Sequence, residues 1–407
     1  MKILHTADWH LGKRLEKFSR LEEQRIVLEE MITIADDEDV DAILVAGDLF
    51  DTFNPTTEAI ELLYKSLKKL TNNGKRLVVA IAGNHDSPDR IDAPDSLARA
   101  CGILFAGYPQ TFFSKEILDC GISINQSEPG FVELMLPKYD YPLRLIITPY
   151  ANEYRMKTFL GASNEEEELR NLLGRQWQYL ADRYCDTNGI NVLMAHLFVM
   201  KKGEMPPEEP EDEKPILHIG GAQAIYTDNI PKQIQYVALG HLHRYQEIDK
   251  LKMPIVYSSS PLSYSFAEAG QQKYVVIVDL KPNEVATFRQ LPLKAGKPLH
   301  RKRFKDINAA KEWLQENQDI WIELTIVSDD FMNAEDRRSL LQLHEGIVTI
   351  IPELRSISGL ENESKSIDLS QSIDELFVQY FAYKNKQQPS EEILKLFKEI
   401  KAEQVEE

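Results

Sequence analysis

Five short polar stretches carry residue types that could do chemistry: Asp8-Trp9-His10, Gly47-Asp48-Leu49-Phe50-Asp51, Gly83-Asn84-His85-Asp86, His196 and Gly240-His241-Leu242-His243. Each follows a short apolar run. A lone Asp-x-His or Gly-Asp in that place is more often a cap or a turn than a ligand. Five of them, each behind a different run and together holding five of the nine histidines, form a pattern. Carboxylate, amide and imidazole donors without thiolates suit hard or borderline divalent ions, Mn²⁺ or Fe²⁺ with Zn²⁺ also compatible, rather than Cu(I) or iron–sulfur clusters. Asp8, His10, Asp48, Asn84, His196, His241 and His243 are too many donors for one ion. Two ions roughly 3.5–4 Å apart need a bridging carboxylate, generate a hydroxide at neutral pH and clamp phosphoryl oxygens for in-line displacement. Asp48 is the natural bridge.

The runs that must position these groups alternate with helical patterns. Lys2 to Ala7 reads as strand, Glu16 to Ala35 as helix, Ala42 to Ala46 as strand, Thr56 to Leu70 as helix and Leu77 to Ala82 as strand. That is βαβαβ. Strands this short and apolar at every position suit an α/β fold whose parallel sheet is covered on both faces. Ligand sites in such sheets lie beyond the carboxyl ends of the strands, so groups far apart in sequence can converge there. Apolar runs at Ile103 to Ala106, Phe131 to Leu136, Leu143 to Ile147, Asn191 to Ala195, Tyr236 to Leu239 and Ile255 to Ser258 continue the pattern, with one long helix from Glu165 to Tyr184.

The core domain is expected to span 1–265. A small α+β domain over 266–355 follows: strands at Tyr274 to Leu280 and Val285 to Leu291, a helix at Ala309 to Asn317, a strand at Ile320 to Val327, a helix near Glu335 to Leu343 and a strand at Ile347 to Ile351. The polar, Ser-rich stretch 356–368 reads as a linker. Two amphipathic helices complete the chain over 369–407, the second presenting Ile393, Leu394, Leu396 and Phe397 on one face. A helical pair this small has little core of its own, so it either docks back or anchors a partner helix; the intervening linker favours the partner.

A chain of 407 residues, 43% hydrophobic and 28% charged, is a folded protein of two or three domains rather than a disordered or fibrous one. Its three cysteines, Cys101, Cys120 and Cys185, lie apart and form no Cys-x-x-Cys, which argues against a disulfide framework and a thiolate zinc site. The opening MKILHTADWHLG has no signal-peptide pattern and no stretch is apolar enough to span a membrane, so a cytoplasmic protein without membrane attachment is expected. The net charge of −18 alone argues against a phosphate-backbone binder. Its distribution does not. Residues 281, 289, 294, 297, 301, 302, 303 and 305 are Lys or Arg, against the single acid Glu284, a stretch that could meet a polyanion. Glu204 to Glu213, acidic and interleaved with prolines, reads as a solvated loop.

The ordered set Asp-x-His, Gly-Asp-x-x-Asp, Gly-Asn-His-Asp, single His and Gly-His-x-His resembles the calcineurin-like metallophosphoesterase superfamily. TADWHLG, AGDLFD, GNHDSP, AHLFV and ALGHLH are similar, within it, to the SbcD-type nuclease subunits, bacterial counterparts of the double-strand-break repair nuclease. The likeness is strong through about residue 265. It implies an αββα sandwich with a small α+β cap and a C-terminal helical partner-binding segment. It also implies two divalent metal ions, most often Mn²⁺: Asp8, His10, Asp48 and His243 on one, Asp48, Asn84, His196 and His241 on the other. His85 then stays off the metals as the acid serving the leaving oxygen. The implied activities are 3′–5′ exonuclease action on duplex DNA and endonuclease cutting of single strands and hairpins. The implied partners are DNA, an SbcC-like coiled-coil ATPase and a second copy, as a homodimer within a heterotetramer.

Asp51 stands where archaeal and eukaryotic members usually carry His. A carboxylate cannot donate to a phosphate, so orienting and charging His85 is the expected role, with a turn cap as the alternative; Asp86 could do the same. The hydroxyls of Ser258-Ser259-Ser260 and Arg90 are further candidates for phosphate contact, whereas His5, His218, His300 and His344 match no ligand spacing. Two other readings keep the fold: a small-molecule phosphodiesterase or phosphatase, which would not need the cap and tail, and a non-catalytic DNA-end scaffold, which would not need an intact ligand set.

Overall fold

The computed structural model describes residues 1–158, 165–204, 224–249, 253–328 and 332–354, with 376–378, 381, 389, 394 and 397. In chain order run β1 (Lys2–Thr6), α1 (Leu21–Asp37), β2 (Ala42–Val45), α2 (Thr57–Leu70), β3 (Leu77–Ile81) and β4 (Ile103–Ala106). Then come β5 (Ser123–Glu128), β6 (Phe131–Met135), β7 (Leu143–Thr148), α3 (Glu165–Tyr184), β8 (Ile190–His196), β9 (Tyr236–Gly240) and β10 (Ile255–Tyr257). The chain continues through β11 (Tyr274–Asp279), β12 (Thr287–Pro292), β13 (Leu299–Phe304), α4 (Ile307–Glu316), β14 (Trp321–Ser328), α5 (Ala334–Leu343) and β15 (Ile347–Leu354).

Two sheets lie face to face. The first has the order β12-β11-β1-β2-β3-β4, parallel from β1 to β4. The second centres on β10-β9-β8-β7-β6-β5, with β7 to β10 parallel. Successive side chains on a strand point to opposite faces, and these strands are apolar on both. Ile3, Leu44, Val79 and Ile81 face the second sheet's Leu145, Ile147, Val192, Met194 and Ala238. Their alternates Leu4, Ile43, Val45, Val78 and Ala80 pack on Val27, Leu28 and Met31 of α1 and Leu63 and Leu67 of α2. On the far side, Ile146, Leu193 and Val237 meet Leu169, Leu173 and Trp177 of α3. The layers are therefore α, β, β, α, and Thr56 caps α2 by accepting the Ala59 N–H.

One expectation changes. The strand pair at 274–291 does not begin the small domain: β11 runs antiparallel to β1 inside the core sheet and carries β12 on its outer edge. The reason is burial on both faces, with Val276 and Val278 in the inter-sheet core and Val275 and Ile277 under α1 and α2. The small α+β element starts at β13, where the sheet β13-β14-β15 is covered by Ala310 and Leu314 of α4 and Leu340 of α5.

Residues 1–328 and 332–353 form one compact unit, and the described residues from 354 onward belong to a second. In the second, residues 376–378, 381, 394 and 397 are helical and Phe377 stacks on Phe397 with ring centroids 3.9 Å apart. The expected linker at 356–368 and most of the acidic loop lie outside the described residues. No helix among the described residues is long and apolar enough to cross a membrane.

Candidate metal and active site

The carboxyl ends of β1, β2 and β3 meet those of β8 and β9 along one rim. Asp8 and His10 leave β1, Asp48 leaves β2, Asn84 leaves β3, His196 ends β8, and His241 and His243 follow β9. The turns are tied together by backbone: Asp8 N–H donates to the Gly47 carbonyl (3.0 Å) and His10 N–H to that of Asp48 (2.9 Å). Such close approach sets the glycines. A Cβ on Gly240 would stand 1.8 Å from the Ala46 carbonyl oxygen, and one on Gly83 would stand 2.1 Å from Asp48 Oδ1. Asp8 (φ 55°), His10 (44°), Asp48 (47°) and His241 (105°) all take the left-handed conformation. For a residue with a Cβ that costs about 1–2 kcal/mol each. Four such outliers at one rim are strain held for a purpose.

Each carboxylate spends one oxygen on the backbone and turns the other inward. Asp8 Oδ1 accepts the His241 N–H and Asp48 Oδ1 accepts the His85 N–H, both at 2.9 Å. Asp8 Oδ2 has no hydrogen-bond partner, nor have His10 Nδ1 and His241 Nε2, although all three atoms are buried. An unpaired buried polar atom costs about 1–3 kcal/mol. Asp48 Oδ2 lies 3.5 Å from His10 Nε2 and 3.4 Å from His196 Nε2, so one carboxylate touches two groups of donors. Ligating atoms of Asp8, His10 and His243 lie within 4.8 Å of one another, and so do those of Asp8, Asp48 and His196.

Donor chemistry makes the same point. His196 Nδ1 faces the Ala46 carbonyl (2.8 Å), an acceptor, so the proton of a neutral ring sits there. Its Nε2 then meets only oxygens, Asn84 Oδ1 at 3.0 Å and Asp48 Oδ2 at 3.4 Å. Oxygens on both sides call for a positive charge at that point, the second proton of an imidazolium or a cation in its place. His10 Nε2 and His243 Nε2 stand 3.0 Å apart, the separation of two nitrogens each about 2.1 Å from one cation. His241 Nδ1 reaches the same Asn84 oxygen at 3.1 Å. The residues present therefore fit two divalent ions sharing Asp48.

Burial shapes the titration of this cluster. It drives the His10 imidazolium down to about 4 and that of His241 down to about 3, leaving neutral rings able to ligate. It pushes the Asp8 carboxyl up to about 6, although His196 and His243 pull the other way. For His196 burial again opposes charge, but Asp48 and Asp8 outweigh it and raise the imidazolium to about 9. Asp48 is buried too, yet His196 and His10 beside it hold it ionised.

His85 stands half-buried at the rim, its ring edge-on to His10 with centroids 4.8 Å apart. Its Nδ1 donates to the Asp51 carbonyl oxygen at 2.8 Å. The expected pairing with the Asp51 carboxylate is thus made by the backbone of the same residue. The carboxylate forms an ion pair with Lys13 Nζ at 2.8 Å and lies 3.6 Å from His10 Nδ1. Asp86 does not orient His85 either: it accepts the N–H groups of Leu49 (2.9 Å), Phe50 (2.8 Å) and Gly83 (2.8 Å), lashing the second stretch to the third.

Several site-building residues escaped the sequence reading. Arg155, on a one-turn helix at Glu153–Met156, donates to the carbonyls of Gly83 (2.7 Å) and Asp86 (2.8 Å) and clamps the loop bearing Asn84 and His85. Gln24 of α1 donates to the His10 carbonyl (2.7 Å) and accepts from Gly12 N–H (3.0 Å), fixing the left-handed turn. Glu268 accepts from His243 Nδ1 at 3.3 Å and is paired with Lys273. The one available signal for that pair was a Lys abutting an otherwise apolar strand.

Ser258, Ser259 and Ser260 are buried and their hydroxyls are spent on backbone carbonyls, not offered to a phosphate. Ser259 does take φ 84°, so the segment makes a close turn. Arg90 donates to Asn54 at 3.3 Å. His5 is a core residue bonded to Tyr236 and the Leu239 carbonyl, His300 packs against Trp313, and His344 bonds the Asn317 carbonyl; His218 lies outside the described residues. In the basic stretch, Arg289 pairs with Glu38, Lys297 with Asp319, Arg301 with Glu323 and Arg303 with Glu353.

The family model "Calcineurin-like phosphoesterase" matches residues 1–245. The SbcD component of nuclease SbcCD from Bacillus subtilis is 37% identical over 98% of this chain and 97% of its own, and that of Rhodobacter capsulatus 33% identical over 74% and 71%. A dimetal phosphatase from Danio rerio superposes on 73% of this chain and 99% of its own at 12% identity, TM-score 0.39. The chain belongs to the calcineurin-like phosphoesterases and, within them, to the SbcD nuclease family of metal-dependent hydrolases.

Proposed function

We propose that the chain is the nuclease subunit of an SbcCD-type complex and hydrolyses DNA phosphodiesters with two divalent ions, Mn²⁺ foremost. The reading is carried by Asp48, whose inward oxygen lies within 3.5 Å of imidazoles from both donor groups. Asp8, His10, Asp48 and His243 hold one ion; Asp48, Asn84, His196 and His241 hold the other. Bound together, such a pair supplies a hydroxide nucleophile and clamps the phosphoryl oxygens.

The chain's own residues do the rest. The Ala46 carbonyl and Glu268 fix the rings of His196 and His243, so that Nε2 of each faces inward. The Asp51 carbonyl holds the Nδ1 proton of His85, leaving Nε2 to carry the proton given to the leaving oxygen. The Asp51 carboxylate lies beside both His10 and His85.

The relatives' names include a second component, and the segment at 369–407 is the part proposed to grip that component's coiled coil, 356–368 being the tether. The α+β element from Leu299 to Leu354 steers DNA. A homodimer within a heterotetramer, cytoplasmic location, 3′–5′ exonuclease action on duplexes and endonuclease action on single strands and hairpins complete the proposal.

The test is incubation of the purified chain with Mn²⁺ and end-labelled duplex DNA beside a small phosphodiester reporter. Chelator-sensitive loss of nucleotides is the expected result. Turnover of the reporter with DNA left intact, even after the ATPase partner is added, would move the assignment to a small-molecule phosphodiesterase.

A further inference from the structure

Three of the four imidazoles assigned as ligands have their far nitrogen or their backbone fixed within the rim. His196 is held by the Ala46 carbonyl, His10 by the turn that Gln24 secures, and His241 by an N–H bond to Asp8. His243 is different. Its side chain is 25% exposed, and its Nδ1 meets a carboxylate that comes from outside the five polar stretches.

That carboxylate, Glu268, is 3% exposed and built into a closed network. Its Oε1 accepts from His243 Nδ1 (3.3 Å) and from the Tyr264 N–H (3.1 Å). Its Oε2 pairs with Lys273 Nζ, itself 5% exposed. Lys273 also donates to the His243 carbonyl (2.9 Å) and to Ser260 Oγ (3.0 Å). One lysine thus holds both the carboxylate and the backbone of the histidine it serves. Tyr264 closes the circle: its hydroxyl donates to the Trp9 carbonyl, and its ring stands edge-on to His10 and His243, with centroids 5.4 and 6.1 Å away.

We propose that Glu268 is the positioning residue of His243 and Lys273 that of Glu268, a lysine–carboxylate–imidazole chain that presents His243 Nε2 to one of the two ions. A carboxylate accepting from Nδ1 fixes the tautomer in which Nε2 holds the lone pair and makes that nitrogen a better donor. Removing such a partner from a metal-bound histidine costs about 10–100-fold in metal affinity. The trio acts on one ion of two, since on the other side the far nitrogen of His196 is held by the Ala46 carbonyl instead.

This rests on the two-ion reading, and calorimetric titration of the full chain with Mn²⁺ separates the two claims. The parent is expected to show two sites. Glu268→Gln, close in volume, is expected to weaken one of them about 10–100-fold while the other stays at parental affinity. Lys273→Met is expected to weaken the same site less, and to add little on top of Glu268→Gln, because it acts through that residue. A ¹⁵N-histidine spectrum of the Zn²⁺-loaded parent is expected to show His243 protonated at Nδ1. Two parental affinities in a folded Glu268→Gln chain, or an Nε2-protonated His243 in the parent, would overturn the proposal. A parent that binds fewer than two ions would sink the two-ion reading instead.

Discussion

The rim and the basic stretch both concentrate charge, and the fold treats them in opposite ways. From Lys281 to Lys305 the sequence piles up cations, yet Arg289, Lys297, Arg301 and Arg303 are each answered by an acid from another element. At the rim the fold crowds Asn84 Oδ1 and Asp48 Oδ2 onto His196 Nε2, while Asp8 Oδ2 and His241 Nε2 are buried without a hydrogen-bond partner. Charge that the chain neutralises for itself is solvated surface. Charge conflict that the chain buries, and holds with four left-handed residues, needs something from outside. Local charge density is therefore a poorer guide to a site than unanswered polarity.

The largest way to break this contrast is Asp48→Asn. The amide keeps an oxygen for the His85 N–H but removes the charge shared by both donor groups. Both ions should be lost from calorimetric titration, and DNA hydrolysis should fall by roughly 10³-fold or more. Retention of one tight site would show that Asp48 is not shared.

His85→Gln sharpens the picture on the chemical side. Its Nδ1 bonds only a backbone carbonyl, so the substitution should leave metal binding intact and lower kcat by about 10²–10⁴-fold, the usual worth of a general acid. Parental turnover in that variant would remove His85 from the reaction.

pH offers a third cut. His196 is raised to about 9, so before a cation binds its charged form supports the fold, fully below its ordinary value of 6.5 and progressively less as pH climbs through about 9. A metal must displace that proton. Calorimetry at pH 7.5 in buffers of different ionisation enthalpy should therefore report about one proton released per chain, and Mn²⁺ affinity should rise toward pH 9. His10 and His241, lowered to about 4 and about 3, act the other way. An unfolded chain takes up their protons first, so the metal-free protein should lose stability as pH falls from about 6.5 toward 3. Metal binding without proton release would contradict the crowding at His196.

How much of this was legible in the sequence depends on where each contact begins. The donors were readable because each follows a strand directly, and a strand exit places its next residues without help from distant sequence. Their supports were not. Arg155, Gln24 and the Asp51 carbonyl act on or through backbone oxygens, which any residue supplies and no spacing marks. Asp86, read as a partner for His85, instead caps three N–H groups made available by two different loops. The pair β11–β12 was legible as strands but not as part of the core sheet, since the partner of β11 is β1, at the opposite end of the chain. Excess charge between 281 and 305 was countable; the acids that answer it, such as Glu38 and Glu353, come from elements far away in sequence.

The smallest expected effect lies in that stretch and completes the comparison. Arg289 and Arg303 already have carboxylate partners, so replacing either with Ala frees an acid as it removes a base. A phosphate contact would lower the slope of log affinity against log salt by about 0.9 per duplex charge. Arg289→Ala and Arg303→Ala should leave the slope of DNA binding unchanged, with affinity within about twofold of the parent at one salt concentration. Both positions are surface pairs, so thermal unfolding should move little. A slope reduced by a full charge in either variant would show that DNA displaces the acid and takes its place, and the stretch would then join the rim as a place where the fold holds charge for a partner.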